Sequence, residues 1–196
     1  MYTQDPAFWR AGAISSTAVM FVVLIVLTID SIDAIRPGGS HVPPYDVINQ
    51  KIGYRFDSSR NEDVPTISNE ELLFNHRFTE AEAGQLLGSG KLVIQSRACM
   101  DCHTFFGNGA YYAPDLTKAW LDPIWTAWGP MYGAKRHDQA LVDFLMHPDR
   151  FPLGNRIMPN LGISEDEARA VVAYLKWMSA VDANGFPAGF LSTTGR

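Results

Sequence analysis

The pattern of apolar and polar positions divides the chain into unlike parts. From Ala11 to Ile29, nineteen consecutive residues carry no charge. As a helix this run would rise about 28 Å, close to the hydrocarbon thickness of a bilayer. A cleaved signal peptide is the competing reading. A cut after Ala34 would place Ile32 at the −3 position, where a small residue is needed, and the run is longer than a usual signal core. The pattern therefore predicts a retained membrane anchor over residues 1–35. Arg10 precedes the run, while Asp30 and Asp33 follow it. Positive flanks favour the cytoplasmic side, so the expected topology has the N-terminus inside and the rest of the chain outside.

Residues 36–78 show no sustained period. Pro37, Gly38, Gly39, Pro43, Pro44 and Pro65 punctuate them. This segment reads either as an extended arm over a partner or membrane surface, or as a loose tether. Helical periodicity begins at residue 79. Thr79-x-x-Glu82 is a capping box, after which Ala83, Leu86, Leu87, Gly90 and Ile94 recur at helical spacing. A short helix is predicted over His137–Met146, with Pro148 stopping it. A second capping box, Ser164-x-x-Glu167, opens the last helix, whose buried stripe is Ala168, Val171, Val172 and Leu175. Gly90 and Tyr174 or Trp177 are expected to meet at a close crossing of the first and last of these helices. The expected fold is all-α, with a single N-terminal transmembrane helix (1–35), an extended arm (36–78), and a small helical domain with a C-terminal tail (79–196).

Composition narrows the function classes. The 196 residues are 46% hydrophobic and 12% aromatic, enough for a packed core, and allow one domain or one domain with an extension. The net charge of −5 disfavours nucleic acid as a partner, since such a footprint shows as a basic patch. Mean hydropathy is −0.07, an average of a greasy N-terminus and ordinary soluble sequence. Only two cysteines are present, so no disulfide framework is available.

Those two cysteines lie in Cys99-Met100-Asp101-Cys102-His103, the C-x-x-C-H pattern of c-type haem attachment. Residues three apart on a helical turn share a face, so two thiols can form thioethers to the two vinyl groups of one porphyrin. The adjacent His103 then brings an imidazole to the iron. A thioredoxin-like pair would follow a strand in a βαβ unit, and here a helix precedes it. A structural zinc site needs four ligands, and no second pair of matching spacing exists. Haem c is attached outside the cytoplasmic membrane, which agrees with the topology read from the flanks.

A sixth ligand completes the site. Of seven methionines, Met158 is the preferred candidate, in a loop just before the last helix with Pro159 restraining its backbone. Met131, in a Gly/Pro/Tyr-rich loop, comes second. Met146 and Met178 fall on helices and read as core. His137 or His147 could substitute, although surface exposure is the plainer expectation for both. The Pro114 carbonyl, eleven residues past His103, is placed to accept the second ring N–H of that histidine.

With these residues in view, the chain resembles class I cytochrome c. More narrowly, it resembles the small cytochrome c component of bacterial nitric oxide reductase. The stretches that carry the resemblance are Cys99-x-x-Cys102-His103-Thr104, Gly107-x-Gly109-Ala110-Tyr111-Tyr112-Ala113-Pro114-Asp115-Leu116, Gly154-x-Arg156-x-Met158-Pro159, and Tyr174-Leu175-Lys176-Trp177-x-Ser179-x-x-Asp182. The resemblance covers the anchor and about residues 79–187. It implies a non-catalytic electron-transfer subunit in the bacterial inner membrane, with its haem c domain in the periplasm. The implied donor is a soluble periplasmic cytochrome c or cupredoxin. The implied acceptor is a large polytopic subunit with haem b, haem b3 and non-haem iron, where two NO become N2O and water. The resemblance also implies a calcium ion at the interface, reached by the Gly109 carbonyl and by Tyr111. Without it, Tyr111 and Tyr112 read as packing at the haem edge.

Two features depart from the family pattern. The arm at 36–78 is long, and residues 120–136 are rich in aromatics (Trp120, Trp125, Trp128), which suit either an interface or the core. Three other functions remain: a free-standing tethered electron carrier, a subunit of a related oxygen-reducing complex, and a gas sensor with an open sixth site.

Overall fold

A computed structural model describes residues 5–131, 133–151 and 158–187, apart from the side chains of Trp128 and Met131. Two compact units emerge, residues 1–42 and 43–196.

The first unit is built on one helix, α1 (Pro6–Ile35). Asp5 caps it by accepting from the Ala7 N–H at 2.8 Å, and Pro6 occupies its first position, where no intrahelical N–H is needed. None of its residues is buried within the chain. Its length and apolar composition suffice to cross a membrane.

The second unit is mostly helical: α2 (Glu80–Ser96), α3 (Ile124–Met131), α4 (His137–Met146) and α5 (Glu165–Ser179). Both predicted capping boxes are formed. Thr79 and Ser164 accept from the N–H groups of Glu82 and Glu167, whose carboxylates reach back to the cap N–H groups. Helices α2 and α5 cross at Gly90, where a Cβ would lie 2.1 Å from the Ala170 carbonyl oxygen and 3.0 Å from the Tyr174 Cβ. The predicted stripe of α5 (Ala168, Val171, Val172 and Leu175) is buried there, together with Ala83, Leu87, Val93 and Ile94 of α2. Helix α4 closes one side with Leu141, Val142 and Leu145. Trp120 and Trp125 lie in this same core, which decides their role as packing residues.

Residues 43–78 are not a separate arm: they fold as part of the second unit. Strands β1 (Gln50–Asp57) and β2 (Glu62–Glu70) pair antiparallel, with Ile52, Tyr54 and Val64 buried. Pro65 and Gly53 interrupt the strand signal in the sequence. Pro65 is tolerated because every strand of a two-stranded sheet is an edge. The segment is bolted to α5. Tyr54 donates to the Ser179 carbonyl (2.6 Å), and Trp177 Nε1 donates to the Pro43 carbonyl (3.2 Å). The fully buried Lys176 ammonium donates to the Glu71 carbonyl (2.9 Å) and pairs with its carboxylate (3.0 Å). Among the described residues the domain is thus helical with two small antiparallel sheets, the second lying at the site described next.

Candidate haem-attachment site

Arg97 caps the end of helix α2, and Ala98 adopts a left-handed backbone (φ 53°) that redirects the chain. Cys99–Asp101 then form one tight 3-10 turn, in which the N–H groups of Cys102 and His103 both donate to the Cys99 carbonyl (3.3 and 2.9 Å). Residues three apart eclipse at this pitch, so the two thiols share one side of the turn. Both cysteines are free and part-buried, and burial pushes the Cys99 thiol above its ordinary value.

His103 Nδ1 lies 2.7 Å from the Pro114 carbonyl oxygen. A carbonyl only accepts, so Nδ1 carries the proton and Nε2 keeps its lone pair for a metal. The loop that supplies this carbonyl is held from several directions. Ala113 N–H donates to the Cys102 carbonyl, and Leu116 N–H to the Thr104 carbonyl, each at 2.8 Å. Asp115 accepts from the buried Thr104 hydroxyl (2.7 Å) and from the Thr117 N–H (2.8 Å). Lys118 follows, buried with its ammonium 3.9 Å from the Tyr54 ring centre. Burial lowers its pKa to about 8, against the pull of Asp63, Asp182, Asp115 and Glu62.

After His103 the chain doubles back. Strand β3 (Thr104–Phe105) pairs with β4 (Asn108–Gly109) around Phe106 and Gly107, both with positive φ (49° and 77°), as a type I′ turn requires. Gly109 has φ 126°, and a Cβ there would sit 2.2 Å from the His103 carbonyl oxygen. Tyr111 is largely exposed and donates to the Gly107 carbonyl (2.9 Å), and Tyr112 is also exposed, so both rings lie outside the chain's own core. Met100 and Phe106 are exposed beside them.

Met158 is part-buried against the same core cluster that receives Cys99 and Leu116. The motif positions Gly154 and Arg156 lie outside the described residues, as does the side chain of Met131. Met178 is fully buried and Met146 packs on the core, as expected of helix residues. The two alternative histidines differ from expectation, since neither is fully exposed. His137 packs its ring 4.3 Å from that of Trp120, and its Nε2 is buried without a hydrogen-bond partner.

These residues fit a covalently attached haem: two part-buried thiols on one tight turn, an imidazole oriented through Nδ1, and a thioether packed on the same core. Sequence reading missed the clamp made by Thr104, Asp115 and Thr117. Its only sequence signal is a threonine and an aspartate eleven apart, the same spacing as His103 and Pro114.

Comparison with known proteins agrees with this geometry. Residues 88–179 match the family model for cytochrome c. The chain is 30% identical over 122 residues to the C subunit of nitric oxide reductase from Stutzerimonas stutzeri, covering 60% of this chain and 75% of that one. It is 29% identical over 98 residues to the protein of the same name from Paracoccus denitrificans, covering 50% and 62%. To that of Halomonas halodenitrificans it is 25% identical over 103 residues, covering 50% and 63%. The match to the first of these, together with the cytochrome c domain and the apolar N-terminal helix, places the chain in the family of nitric oxide reductase C subunits.

Proposed function

We propose that this chain is the electron-entry subunit of a membrane nitric oxide reductase. In this reading α1 anchors it in the bacterial inner membrane with the N-terminus cytoplasmic, and the second unit lies in the periplasm. Cys99 and Cys102 would hold one haem c through thioethers, and His103 and Met158 would ligate its iron. Bound there, the haem would supply a one-electron couple, and a thioether as well as an imidazole on the iron would favour electron transfer over gas binding. The chain's own residues do the rest. Pro114 fixes the His103 tautomer, and the Asp115 clamp fixes Pro114's loop. The observation that carries the reading is the His103–Pro114 contact beside a C-x-x-C-H turn, on a core that also takes Met158.

The proposed donor is a soluble periplasmic cytochrome c or cupredoxin. The acceptor is the haem b of a large polytopic subunit, which reduces two NO to N2O and water with haem b3 and non-haem iron. The exposed side chains Met100, in the attachment turn, and Phe106, Tyr111 and Tyr112, in the segment after it, offer a contact face for such partners. A calcium ion at that face would take the Gly109 carbonyl and Tyr111 from this chain, with its remaining oxygen ligands supplied by the large subunit.

The test uses Met158→Ala in the assembled complex, a change that leaves both thioether cysteines in place. NO consumption driven by a cytochrome c donor should fall about tenfold or more, since loss of the thioether lowers the potential. Consumption driven by a small membrane-permeant reductant that reaches the large subunit directly should persist. Equal loss of both rates, or of neither, contradicts electron entry through this chain.

A further inference from the structure

Arg97 links two parts of the site that lie far apart in sequence. Its backbone is fixed at the end of α2, where its N–H donates to the Val93 carbonyl (2.9 Å), two residues before Cys99. Its guanidinium reaches 64 residues along the chain to donate to the Leu161 carbonyl (3.2 Å), three residues after Met158. The same group pairs with Glu167 through its other terminal nitrogen, Nη2, which lies 2.9 Å from each carboxylate oxygen. Glu167 is itself held by the Ser164 capping box at the start of α5. The pair is only about one-third exposed, so water screens it incompletely. Among the described residues, the same loop packs Leu161 on the core, and the Asn160 amide donates to Asp149 (3.4 Å). The Asn160 side chain accepts from the Gly162 N–H (3.0 Å), Gly162 has φ 64°, and Ile163 is buried.

We propose that Arg97 is a positioning residue for the axial thioether. It ties the loop carrying Met158 to the haem-attachment turn and to the start of α5, and so resists departure of Met158 from the iron. This rests on the haem reading above. The carbonyl contact is the part specific to the loop, and the Glu167 pair aims the guanidinium and fixes its plane. The planar guanidinium places Nη1 on the Leu161 carbonyl and Nη2 on the Glu167 carboxylate at once. A lysine ammonium is a single nitrogen that cannot hold both positions in this fixed geometry, so lysine is a poor substitute here.

The test is displacement of the thioether by added imidazole in the haem-loaded, full-length ferric protein. It is followed by loss of the long-wavelength charge-transfer band of methionine-ligated haem. Arg97→Met should lower the half-saturating imidazole concentration about tenfold, with covalent haem content and helix content unchanged. Arg97→Lys should recover only part of that. Glu167→Gln, which keeps the carbonyl contact, should shift it less and in the same direction. Arg169→Met removes another ion pair of α5, that with Glu165, without touching the loop, and should leave it unchanged. An unchanged imidazole titration in Arg97→Met overturns the proposal, and so does an equal shift in Arg169→Met. If the parent protein lacks the band, or Met158→Ala retains it, the ligand assignment itself fails, and the clamp falls with it.

Discussion

Gly109 is the residue with least freedom at the site. Its φ of 126° and the 2.2 Å approach of a would-be Cβ to the His103 carbonyl leave no room for a side chain. Gly109→Ala should therefore destabilise the haem-loaded protein by about 2 kcal/mol or more, read as a drop in urea midpoint. A change under about 0.5 kcal/mol would mean that the attachment turn tolerates a shift of its backbone. His137 sets a pH dependence. Burial pushes its imidazole below the usual 6.5, with Lys176 adding to the shift and Glu71, Asp138 and a backbone hydrogen bond to Trp120 opposing it. The folded chain thus keeps His137 neutral where the unfolded chain takes up a proton. Its contribution to stability is complete above the unfolded value and is lost as pH falls through and below about 6.5. The urea midpoint should drop between about pH 7.5 and about pH 5.5, and His137→Gln should flatten that drop. The residues proposed to hold the haem stood out in the sequence because attachment needs fixed residue types at fixed spacing. It did not show Lys176 as buried, because the glutamate that receives it lies 105 positions away.

Helix crossings carry the stability of the second unit. Gly90→Ala places a Cβ 2.1 Å from the Ala170 carbonyl, so α2 and α5 must separate. The expected cost is about 1–3 kcal/mol. Gly88, on the same helix, has nothing within 4 Å of its would-be Cβ. Gly88→Ala should stabilise by about 0.5–1 kcal/mol, because alanine has the better helix propensity. Thermal melts of the two variants should move in opposite directions, and movement in the same direction would refute the close crossing. Helices α2 and α5 were legible from capping boxes and apolar spacing, and α4 from its spacing and Pro148, all local signals; α3 was not, because its eight residues include Gly129 and Pro130. The β1–β2 hairpin was not. Its inward positions are only Ile52, Tyr54 and Val64, and its stability comes from contacts with α5 that lie more than a hundred residues away in sequence. The aromatic stretch was ambiguous for a similar reason. Trp120 and Trp125 are equally apolar at an interface or in a core, and only the packed structure chooses between them.

For the whole molecule, the joining of a membrane-length apolar helix to a haem-binding domain is the feature that matters for function. In the proposed role neither unit performs NO chemistry, so activity must reside in a partner. A free-standing tethered carrier would use the same two parts without one. The most direct test is purification through this chain in mild detergent, with mass spectrometry and haem analysis of whatever remains bound. Electron entry through this chain predicts one covalent haem on it and a stoichiometric polytopic subunit with non-covalent haem b, the complex consuming NO. A lone, redox-active haem c protein with no polytopic partner would contradict that role and leave the tethered carrier as the better description.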